Sequence, residues 1–163
     1  MAQTSVPAAA GAPPYLTHLK AGMMGLTRFG NLADNRGRQI TSPVHDATIT
    51  VGAEGASVAN QRAITIQLLD AHGKDTVGVH MIQAVLFLTA DALAFVVTGG
   101  STGIAIGTDG ALLAVVAKKI FLLTCEADGD IDLTWTDTGT EAAYLGLIMP
   151  SGRIVMSDAL TNA

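Results

Sequence analysis

Short apolar stretches separated by turn-forming residues follow one another along the chain from Thr48 to Ala163. Typical turns are His72-Gly73-Lys74-Asp75 and Asp128-Gly129-Asp130. Turns that recur about every 8–12 residues are typical of an antiparallel sandwich or barrel. The pattern predicts strands at about 47–52, 61–69, 79–89, 93–98, 103–107, 111–117, 119–126, 130–137, 141–149 and 153–157.

Two kinds of strand pattern occur among these segments. In 130–137 apolar and polar residues alternate, so Ile131, Leu133 and Trp135 are expected to face the core while the Asp and Thr residues face outward. The segments 82–88 and 143–149 are apolar at nearly every position. We therefore expect their second faces to be covered as well, either by the N-terminal residues or by a partner subunit.

These patterns predict an all-β protein, an antiparallel β-sandwich of jelly-roll-like form over 46–163, preceded by an extended irregular N-terminal arm over 1–45. Charged residues make up only 14% of the 163 residues, against about 25% in ordinary soluble domains. This deficit favours a homo-oligomer, a homodimer or a homotrimer, in which part of the surface is buried. A monomer covered by Thr, Ser and Gly is the alternative.

The N-terminal arm differs in charge from the rest of the chain. Residues 1–45 have four basic residues and one acidic residue, a net charge of +3, whereas 46–163 have five basic and thirteen acidic, a net of −8. This asymmetry is compatible with three explanations: a disordered leader, a clamp on a neighbouring protein, and nucleic-acid binding. The acidic body would repel phosphate, and the clamp is preferred, with partner-binding residues Leu26, Arg28, Phe29, Arg36 and Arg38.

Candidate catalytic and ligand-binding patterns are weak. Gly73-Lys74 lacks the spacing of a phosphate loop, and the Gly99–Gly107 segment is interpreted as a flexible loop. The carboxylates of 126–132 do not follow the calcium-binding loop pattern, and the four histidines have no metal-ligand spacing. Cys125, the one cysteine, is expected to be a buried, inert thiol. The sequence thus predicts no enzyme, no catalytic residues, no cofactor and no metal.

Cellular location is predicted from what the N-terminal sequence and the apolar runs lack. The first residues do not follow the charged-then-apolar pattern of a signal peptide. The apolar runs are much shorter than the ~18 residues that a membrane span needs. We expect synthesis and assembly in a cytoplasm, without membrane or nucleic acid as partner.

Roughly residues 46–163 resemble a family of small β-rich structural proteins of tailed bacteriophages. The resemblance lies in 58–75, 107–110, 126–134 and 144–157, which are strand and turn sequences. It implies a virion component made in the host cytoplasm, of the capsid decoration or cement type. The implied location is the capsid surface and the implied partner is the major capsid protein. Family resemblance transfers no catalytic residue.

The sequence is also compatible with two other functions. One is a tail or fibre component of the virion, and the other is a carbohydrate-binding β-sandwich. Sugar binding usually requires exposed aromatic rings, and only Tyr15, Trp135 and Tyr144 are candidates.

Overall fold

The computed structural model describes residues 25–26, 32–33, 43–55 and 58–162. The chain divides into two compact units, 1–43 and 44–163. In the first unit, β1 (Gly25–Leu26) pairs antiparallel with β2 (Leu32–Ala33). Residues 43–45 of the predicted N-terminal arm are described too, but Val44 is buried in the core of the second unit and the N–H of His45 donates to the carbonyl of Leu69. The remaining arm residues lie outside the described residues. The second unit contains β3 (Asp46–Val51), β4 (Gln61–Leu69), β5 (Met81–Phe87), β6 (Gly103–Ile106), β7 (Ala111–Val116), β8 (Ile120–Thr124), β9 (Asp130–Thr136), β10 (Tyr144–Ile148) and β11 (Ile154–Met156).

The nine strands of the second unit form two antiparallel sheets. One has four strands in the order β3-β4-β9-β6, and the other has five in the order β11-β10-β5-β8-β7. The described residues contain no helix, and hence none that could span a membrane. The all-β, sandwich-like class predicted from the sequence is confirmed.

The core lies between the sheets and is built from alternate residues of each strand. In β9, Ile131, Leu133 and Trp135 are at most 1% exposed, whereas the Asp and Thr residues between them are half-buried on the other face. The predicted orientation of β9 is therefore confirmed. Aliphatic side chains of β4, β5, β8 and β10 complete the same cluster, which is the continuous apolar core that a domain of this size requires.

Most predicted strands are present, but one prediction is wrong. Residues 93–98 make only an isolated bridge, between Phe95 and Phe87, instead of a strand. Two backbone hydrogen bonds connect this segment to β5, from Leu88 N to Ala94 O and from Val96 N to Leu86 O. β8 starts at Ile120 and occupies the same side of β5, so only a short stretch of that strand remains free for pairing.

The turns predicted at His72–Asp75 and Asp128–Asp130 are confirmed. At 70–74, the carboxylate of Asp70 accepts hydrogen bonds from the backbone N–H groups of His72 and Lys74, which makes this segment a turn and not a phosphate loop. At the turn before β9, Gly129 has a φ of +88°. A Cβ there would lie 2.6 Å from the hydroxyl of Thr76, so both backbone conformation and space favour glycine.

The C-terminal residues are fastened to the end of the four-stranded sheet. Arg62 donates hydrogen bonds to the carbonyl of Thr161 and to the side-chain oxygen of Asn162. The Asn162 amide in turn donates to the carbonyls of Asn60 and Asp137. Because Asn162 is buried, these bonds satisfy an amide that would otherwise be costly to bury.

The core alternation can be tested with neighbouring residues of β9. Leu133→Ala should lower the free energy of unfolding by about 2–5 kcal/mol, because it removes a buried side chain and leaves a cavity. Thr134→Ala, on the outward face, should cost less than about 1 kcal/mol. Denaturant unfolding followed by the fluorescence of Trp135, the one tryptophan, measures both. Equal losses for the two variants would contradict the assigned faces.

Candidate interaction surfaces

The outer side of the five-stranded sheet is an apolar surface. We call it the apolar face. Its residues, strand by strand, are Met81, Gln83, Val85 and Phe87 of β5, Ala111, Leu113, Val115 and Val116 of β7, Ile120, Leu122 and Thr124 of β8, Tyr144, Gly146 and Ile148 of β10, and Ile154 and Met156 of β11. No residue in this set is charged. Several are large and exposed, including Met81 at 64% and Leu113 at 63%.

Part of the apolar face is covered by the chain itself. Phe87 is 7% exposed, because the ring of Phe95 stacks on it with centroids 5.9 Å apart. On its other side, Phe87 lies over Gly146, where a Cβ would come within 2.6 Å of the Phe87 ring. Glycine at 146 therefore makes room for the ring. Phe95 remains 56% exposed, so the stacked pair extends the apolar face instead of closing it.

A shallow concavity lies within the apolar face. It has a volume of about 180 Å³ and is lined by Met81, Leu113, Leu122 and Thr124 together with Ala111 and Leu112. A larger groove of about 320 Å³ adjoins it, sharing Ala111 and Thr124. Protein interfaces commonly place an apolar anchor of one partner in such a depression of the other.

The outer side of the four-stranded sheet has the opposite character. It carries Thr48 and Thr50 of β3, Thr65 of β4, and Asp132 and Thr134 of β9 among its outward residues. The Thr65 hydroxyl donates to the Asp132 carboxylate over 3.1 Å. Such short polar side chains are well hydrated, so this sheet has the expected arrangement of one face on the core and one in water. The five-stranded sheet departs from this arrangement.

Glu141 fixes the loop that borders the apolar face. Its carboxylate accepts hydrogen bonds from the backbone N–H groups of Val97, Thr98, Gly99 and Gly100, and from the Thr98 hydroxyl. Burial alone would raise the pKa of Glu141, but these hydrogen bonds outweigh it and lower the pKa to about 2. The loop carries Val97, which is 72% exposed, so the carboxylate positions an apolar side chain beside Phe95.

The glycine-rich loop after Val97 is also held from the other side. The Lys118 ammonium donates to the carbonyls of Gly100 and Ser101. The Asp137 carboxylate accepts from the N–H of Ser101 over 2.9 Å. The prediction of a flexible loop over Gly99–Gly107 is wrong, because Gly103–Ile106 form β6 and the residues before β6 are held by these contacts with residues distant in sequence.

The acidic residues before and in β9 are dispersed along the turn and strand. Burial raises the pKa of Asp130, the N–H of Ile131 partly offsets this, and the carboxylates of Asp132, Asp109 and Asp128 raise it further. Among the described residues, no three His, Cys, Asp or Glu side chains come together as a metal site. The carbonyl of Asp128 accepts from the Gln67 amide, so the segment serves the β4–β9 pairing.

Cys125 and Trp135 lie where the sequence predicted. Cys125 is 3% exposed, and burial raises the pKa of its thiol, which makes a thiolate nucleophile unfavourable. Trp135 is fully buried, so it presents no ring for stacking on a sugar.

The five predicted partner-binding residues are not brought together by the described part of the structure. Arg28, Phe29, Arg36 and Arg38 lie outside the described residues, and Leu26 is described only as a backbone position in β1. The apolar face was anticipated in part, through the uninterrupted apolar runs that became β5 and β10. The contributions of Leu113 in β7 and of Phe95 were missed, although the run 111–116 carried the same signal.

Comparisons of the chain with models of protein families, with curated proteins and with solved structures found no match. They lend no support to the phage family expected from the sequence.

The clamp by Glu141 can be tested through the pH dependence of stability. Because the folded-state pKa lies below the ordinary value of 4.5, the ionised carboxylate stabilises the fold above about pH 4.5, and this stabilisation is lost as the pH falls toward about 2. Glu141→Gln should lower stability at neutral pH and flatten the pH dependence in that window. Glu126→Gln, at an exposed carboxylate, is the control. Unfolding curves of the Glu141 variant parallel to the wild type from pH 5 to pH 2 would contradict the clamp.

Proposed function

We propose that the protein is a non-enzymatic structural component of a virion, a decoration or cement protein that binds the outer surface of a tailed bacteriophage head and stabilises contacts between major capsid protein subunits. The single observation that carries this proposal is the uncharged apolar face, with Met81, Leu113, Val115 and Phe95 each more than half exposed. A large exposed apolar surface promotes aggregation of a free monomer, whereas in an assembly it is buried against a partner.

Two features of the molecule agree with a role in assembly. The apolar face borders a loop that Glu141 and Lys118 hold in place, so its exposed side chains are presented on a fixed backbone. A prearranged surface loses less conformational entropy on binding than a mobile one. In addition, both sheets are built on one continuous core, which gives a rigid body from which to bridge other subunits.

The proposal assigns the capsid-facing contact to the basic residues 1–45. Leu26 and Phe29 would bury against the capsid protein, while Arg28, Arg36 and Arg38 would pair with acidic groups on it. Their charge is opposite to that of 46–163, which carries five basic and thirteen acidic residues. In this proposal residues 1–45 bind the capsid protein, and residues 46–163 present the apolar face.

We further propose that the strand order is a shortened jelly roll. β4 pairs with β9 in one sheet and β5 pairs with β8 in the other, so the chain changes sheet between β4 and β5 and again between β8 and β9. β6 and β7 add one more such step, beside β9 and β8 respectively. Winding of two paired strands across two sheets is the jelly-roll arrangement, which occurs in viral capsid and lectin domains.

The experiment is the thermal stability of phage heads with and without this protein. Heads of the phage that encodes it should release DNA at a lower temperature when they lack the protein, and added purified protein should restore the wild-type temperature. Unchanged head stability, or labelled protein found on tails alone, would contradict capsid decoration and favour a tail or fibre component.

The arm contact makes a more detailed prediction. Apolar anchors contribute most to an interface, whereas exposed ion pairs contribute about 0–1 kcal/mol each. Phe29→Ala should therefore weaken binding to heads more than Arg36→Ala, measured by co-sedimentation of the full chain with heads. Raised salt alone should not release the protein. A larger effect of Arg36→Ala, with release in salt, would show that charge governs attachment.

A further inference from the structure

We infer that the apolar face is the interface of a two-fold symmetric homodimer, in which the five-stranded sheets of two copies pack face to face. This inference deepens the proposed function and rests on it for the second partner, the capsid. The dimer itself is a property of the isolated protein. It selects the homodimer over the homotrimer, which the sequence left open.

Charge is the first reason for choosing a second copy as the occupant. The chain carries a net charge of −5, so two copies repel one another as a whole. The four-stranded sheet would place Asp130 and Asp132 of one copy near those of the other, which is unfavourable. The apolar face has no charged residue among its outward positions. It is thus the large sheet surface on which two copies can meet without like-charge contacts.

Area is the second reason. Five strands about 4.8 Å apart, averaging about five residues of about 3.3 Å each, cover roughly 400 Å². The neighbouring segment 93–97, which presents Leu93, Phe95 and Val97 at 83%, 56% and 72% exposure, adds roughly 80 Å² by the same spacings. The footprints of two facing copies together come to about 1,000 Å², to which the already buried Val85 and Phe87 add little, so the interface lies at the lower limit of specific interfaces. Homodimer interfaces are also the more apolar class, as this surface is.

Symmetry is the third reason. A single patch that packs on its own copy forms an isologous contact, which closes with two subunits. A trimer needs two different patches that meet head to tail. The described surface offers one such apolar sheet, with the concavity between Met81, Leu113 and Leu122 able to receive an aliphatic side chain of the other copy.

The test measures the mass of the full-length protein by sedimentation equilibrium over a concentration series. The expected result is a reversible dimer of about twice the 16.7 kDa chain mass. Gln83→Glu, nearly isosteric at an exposed position of the central strand β5, places a carboxylate from each copy in the interface. Because that charge would be desolvated, the dissociation constant should rise at least ~10-fold. Thr48→Glu, outward on the other sheet, should leave it unchanged.

A second pair of variants tests the same interface at a position outside β5. Leu113→Lys should also raise the dissociation constant at least ~10-fold, whereas Val58→Lys should not, although Val58 is 53% exposed and equally apolar. Circular dichroism checks that all four variants keep their strands. A folded Leu113→Lys that dimerises as the wild type does would overturn the inference, as would a wild type that is monomeric at all concentrations or trimeric.

Failure of this inference can be told from failure of the proposed function. A dimer that does not bind heads would sink capsid decoration and leave the dimer interface intact. A monomer that binds heads and stabilises them would sink the dimer and leave decoration intact, since the apolar face would then be covered by the capsid protein or by the chain's own N-terminal residues.

Discussion

Burial between two sheets is the constraint on which the rest of this structure depends. Successive side chains of a strand point to opposite faces, so a sheet with one covered face needs only every second residue to be apolar. The four-stranded sheet obeys this rule, with Ile131 and Leu133 inside and Asp132 and Thr134 outside. The five-stranded sheet does not, because its outward residues Val85, Leu113 and Leu122 are apolar as well. A third layer that covers the outer face is the physical solution to such a sheet, and the described residues supply only part of that layer.

The part that the chain supplies is organised around Phe87. Phe95 stacks on this ring, and Gly146 leaves the space that it occupies. Farther along, the loop with Val97 is held by the Glu141 carboxylate through four backbone N–H groups. Hydrogen bonds to an ionised group are stronger than neutral ones, so the loop has a defined position. Val85 and Phe87 are thus already buried on this face, whereas Met81 and the β7 residues beside Leu113 stay exposed to a partner.

Much of the fold could be predicted from the sequence, because strands and turns leave local signals. Alternation in β9 identified its two faces, and Asp128-Gly129 identified a turn. What could not be predicted depends on contacts between distant residues. Glu141 is more than forty positions from the amides that it binds, and nothing in its local sequence indicates that role. Segment 93–98 has strand-like composition, yet β8 takes most of the pairing positions beside β5, so only Phe95 forms a bridge.

The candidate site was predicted in outline and not in detail. The apolar runs of β5 and β10 correctly indicated a second apolar face, whereas the five residues assigned to partner binding, from Leu26 to Arg38, lie almost entirely outside the described residues. The sequence pattern reveals that a face is apolar. It does not reveal how five strands are ordered in a sheet, and that order is what joins Leu113 of β7 to Ile154 of β11 in a single surface.

The central claim is that this surface is covered in the working protein. Met81 provides a natural probe, because it is 64% exposed on the apolar face, and Met149, at 2% exposed, is a buried reference. The measurement is the rate of methionine oxidation by dilute peroxide, followed by mass spectrometry at each methionine as the protein is diluted. If a second copy covers this surface, Met81 is protected at high concentration and is oxidised faster on dilution, while Met149 is oxidised slowly throughout. Rapid oxidation of Met81 at every concentration would contradict the claim.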